Sequence, residues 1–185
     1  MDKLNKEKLI EIVKAAKQGD EKAFSYLYEY YISPIFRFVY FRIKDYGDAE
    51  DLTQTVFLKA WDALPDYKQK KNPFSSWLYA IARNAVIDYW RKKKDWQIND
   101  LAQETIKDNK RPIYDLIEEE ENFGSVKEAI GLLTEDQQEI VILKFIEGLS
   151  NKEISGITGK KEEAIRQLQS RAIKSLKEHL NKHYE

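Results

Sequence analysis

The chain has 185 residues, enough for one domain of ordinary size or two small ones with thin cores. It contains no cysteine, which excludes a disulfide framework, a thiolate zinc site and a thiol nucleophile. The formal net charge is only −1, yet charge is segregated: residues 1–94 carry 18 Lys and Arg against 13 Asp and Glu, residues 95–122 carry 3 against 9, and residues 123–185 carry 10 against 10.

Apolar residues recur at three- and four-residue spacing almost throughout, Gly and Pro are scarce, and alternation with period two is never sustained. The pattern predicts an all-α fold. The opening MDKLNKEKLIEIVKAAKQGD is charged and amphipathic, unlike a secretory leader. No later run approaches the roughly 20 apolar residues of a membrane span. The expectation is a soluble, cytoplasmic protein without membrane insertion.

The first four helices are expected near 4–18, 21–44, 48–63 and 74–94, broken at Gly19-Asp20, at Asp45-Tyr46-Gly47 and between Pro65 and Pro73. The second holds a dense aromatic set between Phe24 and Tyr46, which at helical spacing reads as core and half-buried staples. The third opens with Asp48, Glu50 and Asp51, acids that suit a helix N-terminus because the macrodipole favours negative charge there. The fourth, FSSWLYAIARNAVIDYWRKKK, combines Phe74, Trp77, Tyr79, Tyr89 and Trp90 with Arg83, Asn84, Asp88 and a basic end from Arg91 to Lys94. Aromatic faces beside cations suit a single-stranded nucleic acid, whose bases stack while its phosphates are neutralised. Core aromatics with a dipole-favoured basic terminus account for the same residues equally well.

From Asp95 to Asn122 the periodicity weakens, Pro112 interrupts, and Glu118 to Glu121 form a run of like charge. This segment is expected to be a linker between a domain at 1–94 and a second at 123–185. Helices are expected there near 123–132, 135–147, 150–157 and 161–182. Thr134 and Ser150 are the expected N-caps, each followed three residues later by Gln137 or Glu153.

The segment LSNKEISGITGKKEEAIRQLQSRAIKSLKEHL has the pattern of a helix-turn-helix. A short capped helix ends at Thr158-Gly159, where glycine can take the left-handed conformation of a sharp turn. On the next helix Ile165, Leu168, Ala172 and Leu176 form one face, expected to pack on Ile154 and Ile157. That leaves Lys160, Lys161, Arg166, Gln167, Ser170, Arg171 and Lys174 outward. Arg166 and Gln167 are candidates for reading base edges in a major groove, and the lysines and Arg171 for contacting phosphates. A plain three-helix bundle with a solvated basic face is the competing account.

Taken in order, these segments resemble the extracytoplasmic-function (ECF) sigma factors, over residues from about 20 to 94 and from about 124 to 180. DAEDLTQTVFLKAWDALPDY is similar to the family helix that docks on the clamp helices of the polymerase largest subunit. The resemblance implies that Asp48, Glu50, Asp51, Gln54, Phe57, Leu58 and Trp61 face or support polymerase. FSSWLYAIARNAVIDYWRKKK is similar to the helix that melts and reads the minus-ten element, implying promoter roles for Phe74, Trp77, Asn84, Asp88, Arg91 and Lys92. The preceding loop, with Lys68, Lys70 and Lys71, stands where the family captures a flipped base, a step whose unstacking cost of a few kcal/mol demands compensating contacts.

The C-terminal segment resembles the family domain that reads the minus-thirty-five duplex, although Lys160 replaces a usually apolar residue and Asn151-Lys152 an aromatic-acidic pair. The implied architecture is a sigma-two-like bundle and a sigma-four-like helix-turn-helix domain. The implied partners are core RNA polymerase (clamp helices and flap), promoter DNA and an anti-sigma factor, with no cofactor.

Two other classes compete. A conventional helix-turn-helix regulator explains residues 123–185 but leaves the motif order in 48–94 to chance, and it predicts operator binding without polymerase. A helical metalloenzyme would rest on His179 and His183, at i and i+4. No carboxylate cluster accompanies them and they lie at the chain end, so a surface location is expected. No Gly-rich phosphate loop or nucleophile elbow is present, and no catalytic residue is assigned.

Overall fold

The computed structural model describes residues 6–68, 73–99 and 128–183, and every regular element among them is helical. α1 (Lys6–Lys17), α2 (Glu21–Ile43), α3 (Tyr46–Ala63) and α4 (Phe74–Asn99) form the N-terminal half, with a 3₁₀ turn at Leu64–Asp66 after α3. A helical turn at 128–131, α5 (Glu135–Val141), α6 (Asn151–Thr158) and α7 (Glu162–His183) form the C-terminal half.

Caps explain most boundaries. The Asp20 carboxylate accepts from the Lys22 and Ala23 amides at 2.9 and 3.1 Å and starts α2. Asp45 accepts from the Asp48 amide, so α3 begins at Tyr46 and not at the expected residue 48. Pro34 lies inside α2 without ending it, flanked by the buried Ile32, Ile35 and Phe36. Tertiary packing there outweighs the hydrogen bond that proline removes.

α4 continues to Asn99, five residues past the expected end at 94. The remainder of the expected linker lies outside the described residues. In the C-terminal half both expected capping boxes are present, Thr134 with Gln137 and Ser150 with Glu153. The helix expected over 135–147 departs from regularity. It becomes π-helical at Ile142–Ile146, with the Glu147 amide donating to Ile142 O at 3.0 Å.

Leu27, Ile35, Phe38, Val56, Leu78 and Ala82 are fully buried in the N-terminal half, and Ile140, Ile142, Leu143, Ile154 and Ile165 in the C-terminal half. Each such Leu, Ile or Phe side chain contributes about 1.5–3 kcal/mol by leaving water. The buried residues of both halves belong to one continuous cluster, because α4 packs on α6 and the π-helical turn packs on α2. The two halves are therefore closed against each other.

Candidate functional site

Three surfaces carry the residues singled out in the sequence, each fixed by different elements. The first is a groove of about 520 Å³ between the start of α2 and the middle of α3, lined by Glu21, Phe24, Ser25, Tyr28, Gln54, Phe57, Leu58 and Trp61. Its walls are two edge-on ring pairs, Phe24 with Trp61 at 4.7 Å between centroids and Tyr28 with Phe57 at 4.8 Å. Phe57 is buried at the base, while Leu58 is 67 % exposed. An open apolar groove with a prominent leucine suits a helical protein partner.

Four of the seven residues that the sequence assigned to polymerase, Gln54, Phe57, Leu58 and Trp61, meet in this groove. Asp48, Glu50 and Asp51 do not line it; they occupy the first turns of α3. Asp48 has another partner, the Tyr89 hydroxyl of α4, which donates to its Oδ2 at 2.5 Å. Sequence reasoning missed Glu21, Phe24, Ser25 and Tyr28. Their spacing of three, one and three marks one face of α2, but the surrounding aromatic density hid it.

The second surface is on α4. Asn84, Arg91 and Lys92 are exposed, and Asp88 is half-buried beside Arg91, which pairs with it at 3.0 Å. Asn84, Asp88 and Arg91 follow at four and three residues and so share one stripe. Lys68 is exposed at the start of the loop, whereas Lys70 and Lys71 lie outside the described residues.

Phe74 departs from the expectation of a promoter contact: it is 5 % exposed. It packs against Tyr31, Tyr67 and Trp77, with centroids 5.5, 5.8 and 5.4 Å away. Hydrophobic burial accounts for this placement, and the half-buried Trp77 supports the same cluster. Burial also pushes the Tyr67 phenol up to about 12.

The third surface is the helix-turn-helix. Gly159 sits at φ 72° after α6, the left-handed conformation the turn requires. Ile154, Ile157, Ile165 and Ala172 are buried, with Leu168 and Leu176 against them. Lys161, just before α7, and Arg166, Gln167, Ser170, Arg171 and Lys174 on it are exposed. Arg166 is held by Glu162 at 3.4 Å and Glu163 at 3.7 Å, and Lys174 lies 3.9 Å from Glu178.

Lys160 differs from the other expected phosphate contacts, since its ammonium pairs with Asp136 of α5 at 3.0 Å and its side chain is 26 % exposed. This explains how a lysine is accommodated where the turn usually carries an apolar residue. Asn151, the other atypical position, accepts from the Gln169 side chain at 2.9 Å and ties α6 to α7.

Among the described residues no cluster of His, Cys, Asp or Glu could hold a metal, and no helix is long and apolar enough to cross a membrane. The side chains of His179 and His183 lie outside the description.

Two family models match the chain in order: sigma-70 region 2 over residues 27–97 and sigma-70 region 4 over residues 123–176. Among curated relatives, the chain is 33 % identical to the ECF RNA polymerase sigma factor BldN of Streptomyces coelicolor. That match covers 91 % of this chain and 64 % of the relative, so the chain spans just under two thirds of BldN. It is 31 % identical to the ECF sigma factor SigM of Bacillus subtilis, over 82 % of this chain and 91 % of that one. Among solved structures, the sigma factor RpoE in complex with the anti-sigma factor NepR from Bartonella quintana matches with a TM-score of 0.68. It is 26 % identical and covers 86 % of this chain and 98 % of that one.

Proposed function

Because this chain belongs to the extracytoplasmic-function RNA polymerase sigma factors, we propose that it binds core RNA polymerase and directs promoter-specific initiation of transcription. It is a specificity subunit; the polymerase supplies the chemistry. The observation that carries the reading is the coexistence, in family order, of an open apolar groove on α2 and α3, a polar stripe on α4 and an exposed basic recognition helix α7.

In this mechanism the α2–α3 groove receives the clamp helices of the largest subunit, with Leu58 and Trp61 as anchors and Asp51 as a further contact outside the groove, toward the acidic start of α3. The N-terminal domain at 1–94 holds the melted minus-ten strand through Asn84, Asp88, Arg91, Lys92 and the loop lysines Lys68, Lys70 and Lys71. The C-terminal domain at 123–185 docks α7 in the major groove of the minus-thirty-five duplex and contacts the polymerase flap. Arg166 and Gln167 read bases there, while Lys161, Ser170, Arg171 and Lys174 contact phosphates. Lys160 supports the docking of α7 on α5. Residues 95–122 connect the domains.

An anti-sigma factor is the second partner, supported by the likeness to RpoE solved with NepR. The site of action is the cytoplasm, where the polymerase resides.

Co-elution with core polymerase tests the groove. Leu58→Asp places a charge on an exposed rim without disturbing the core, and is expected to abolish co-elution while helicity stays unchanged. Undiminished co-elution would remove the groove from the account.

A further inference from the structure

Lys17, the last residue of α1, is exposed, and its ammonium donates to the Tyr67 carbonyl at 2.5 Å across 50 residues of chain. The lysine projects from a well-anchored backbone. Val13 and Ala16 of α1 are buried, and the Gln18, Gly19 and Asp20 amides close the helix end on the Ala15 and Ala16 carbonyls at 2.9, 3.0 and 3.2 Å. α1 lies outside the sigma-70 region 2 match, which begins at residue 27, and none of the roles assigned above falls on it.

The acceptor sits at a junction. Tyr67 follows the 3₁₀ turn at Leu64–Asp66, its amide donates to Leu64 O at 3.1 Å, and its ψ of 131° takes the chain out of the turn. Its ring is buried and packs on Phe74 and Trp77 of α4, with centroids 5.8 and 4.9 Å away. One aromatic cluster therefore holds both ends of the connection from Lys68 to Pro73, the entry through Tyr67 and the exit through Phe74 and Trp77.

Ring burial fixes where Tyr67 is, not where the chain goes next. The Tyr67 carbonyl and the Lys68 amide share one planar peptide, so a group that holds the carbonyl sets ψ of Tyr67 and the direction in which Lys68 leaves. Lys17 is such a group, placed on a different helix. The bond is charge-assisted, and because its acceptor is neutral the ammonium keeps its full charge next to the exposed Lys68.

We propose that Lys17 is a positioning residue for promoter opening: through the Tyr67 carbonyl it presets the path of the chain from Lys68 toward α4, and with it the base preference of that connection. This rests on the reading that Lys68 and its neighbours hold the melted minus-ten strand. Without the anchor the connection has to be ordered at each encounter, an entropic cost that falls on the base it touches and on no other.

Lys17→Met keeps the apolar stem and removes the donor, whereas Lys17→Arg keeps a donor. Amide hydrogen exchange is measured on the free, full-length proteins, and initiation with core polymerase on promoter fragments carrying every base in turn at every minus-ten position. In Lys17→Met, helicity and co-elution with core polymerase are expected to stay unchanged, and the Tyr67 and Lys68 amides to exchange faster. The preference at one minus-ten position falls about tenfold, the lower end of what a hydrogen bond to a charged group is worth, while the other positions keep theirs. Lys17→Arg retains most of that preference. Unchanged exchange at Tyr67 and Lys68, an equal loss at every position, or an unaltered preference would overturn the proposal. A salt slope reduced by about 0.7 with the preference intact would also overturn it, making Lys17 a plain phosphate contact on a single strand. If the unsubstituted protein starts no transcripts, the sigma-factor reading fails and takes the promoter role with it, while exchange at Tyr67 still decides whether Lys17 holds the turn.

Discussion

The Tyr89 hydroxyl of α4 donates to Asp48 Oδ2 in the first turn of α3 at 2.5 Å, while Lys93 donates to the same hydroxyl at 2.9 Å and lies over the Tyr89 and Trp90 rings. One tyrosine thus joins the acidic end of the helix assigned to polymerase to the helix assigned to the promoter. Tyr89→Phe keeps the ring and removes the link. It is expected to cost about 1 kcal/mol in urea unfolding, and about the same as Asp48→Asn, with the double variant no worse than either alone.

Neighbouring residues on α3 should separate binding from stability. Leu58→Ala removes an exposed side chain and should change unfolding free energy by less than about 0.5 kcal/mol while weakening co-elution with core polymerase. Phe57→Ala empties a buried site and should cost about 3–5 kcal/mol in the same unfolding experiment.

The cations of the C-terminal half should not be equivalent on DNA. Arg171 is exposed and Lys160 is committed to Asp136. Arg171→Ala should reduce the slope of log affinity against log salt by about 0.9, measured with the polymerase-bound protein on duplex promoter DNA. Lys160→Ala should leave that slope nearly unchanged and act on stability. Equal slope changes for both would contradict this division.

Gly159 has open space where a Cβ would project, so Gly159→Ala meets strain in the backbone and no clash. At φ 72° the cost is roughly 1–2 kcal/mol. A fall of about 2–4 °C in Tm per kcal/mol is expected by calorimetry for a chain of this size.

The tyrosines supply a pH dependence. Burial raises Tyr31 and Tyr79, and raises Tyr67 to about 12, against 10 for an unfolded chain. Their folded-state values exceed the unfolded ones, so their contribution is complete below pH 10 and is lost as pH rises toward 12, where the unfolded chain releases protons first. Ultraviolet titration should show part of the tyrosine absorbance change delayed until alkaline unfolding.

The helix-turn-helix could be read from sequence because its caps, its turn glycine and its apolar spacing all act within a few residues. The groove was half legible: α3 contributed Gln54, Phe57, Leu58 and Trp61 by resemblance, but the α2 wall was hidden among aromatics that serve both core and surface. Phe74 was misplaced because an aromatic beside cations has the same pattern whether it stacks on a base or fills a core. The ion pair of Arg37 with Glu147, which joins α2 to the C-terminal half, was illegible. Arg37 and Glu147 are 110 residues apart, and a π-helical turn, which no local spacing signals, precedes the glutamate.

Initiation itself is the most direct test. Purified protein is added to bacterial core polymerase with a pool of promoter fragments, and start sites are mapped for the unsubstituted chain, Asp51→Arg and Arg166→Ala. Starts that require the protein, vanish with Asp51→Arg and weaken or change with Arg166→Ala are the predicted result. Absence of both binding and initiation, with the protein alone shifting a specific duplex, would contradict the account and favour a conventional operator-binding regulator.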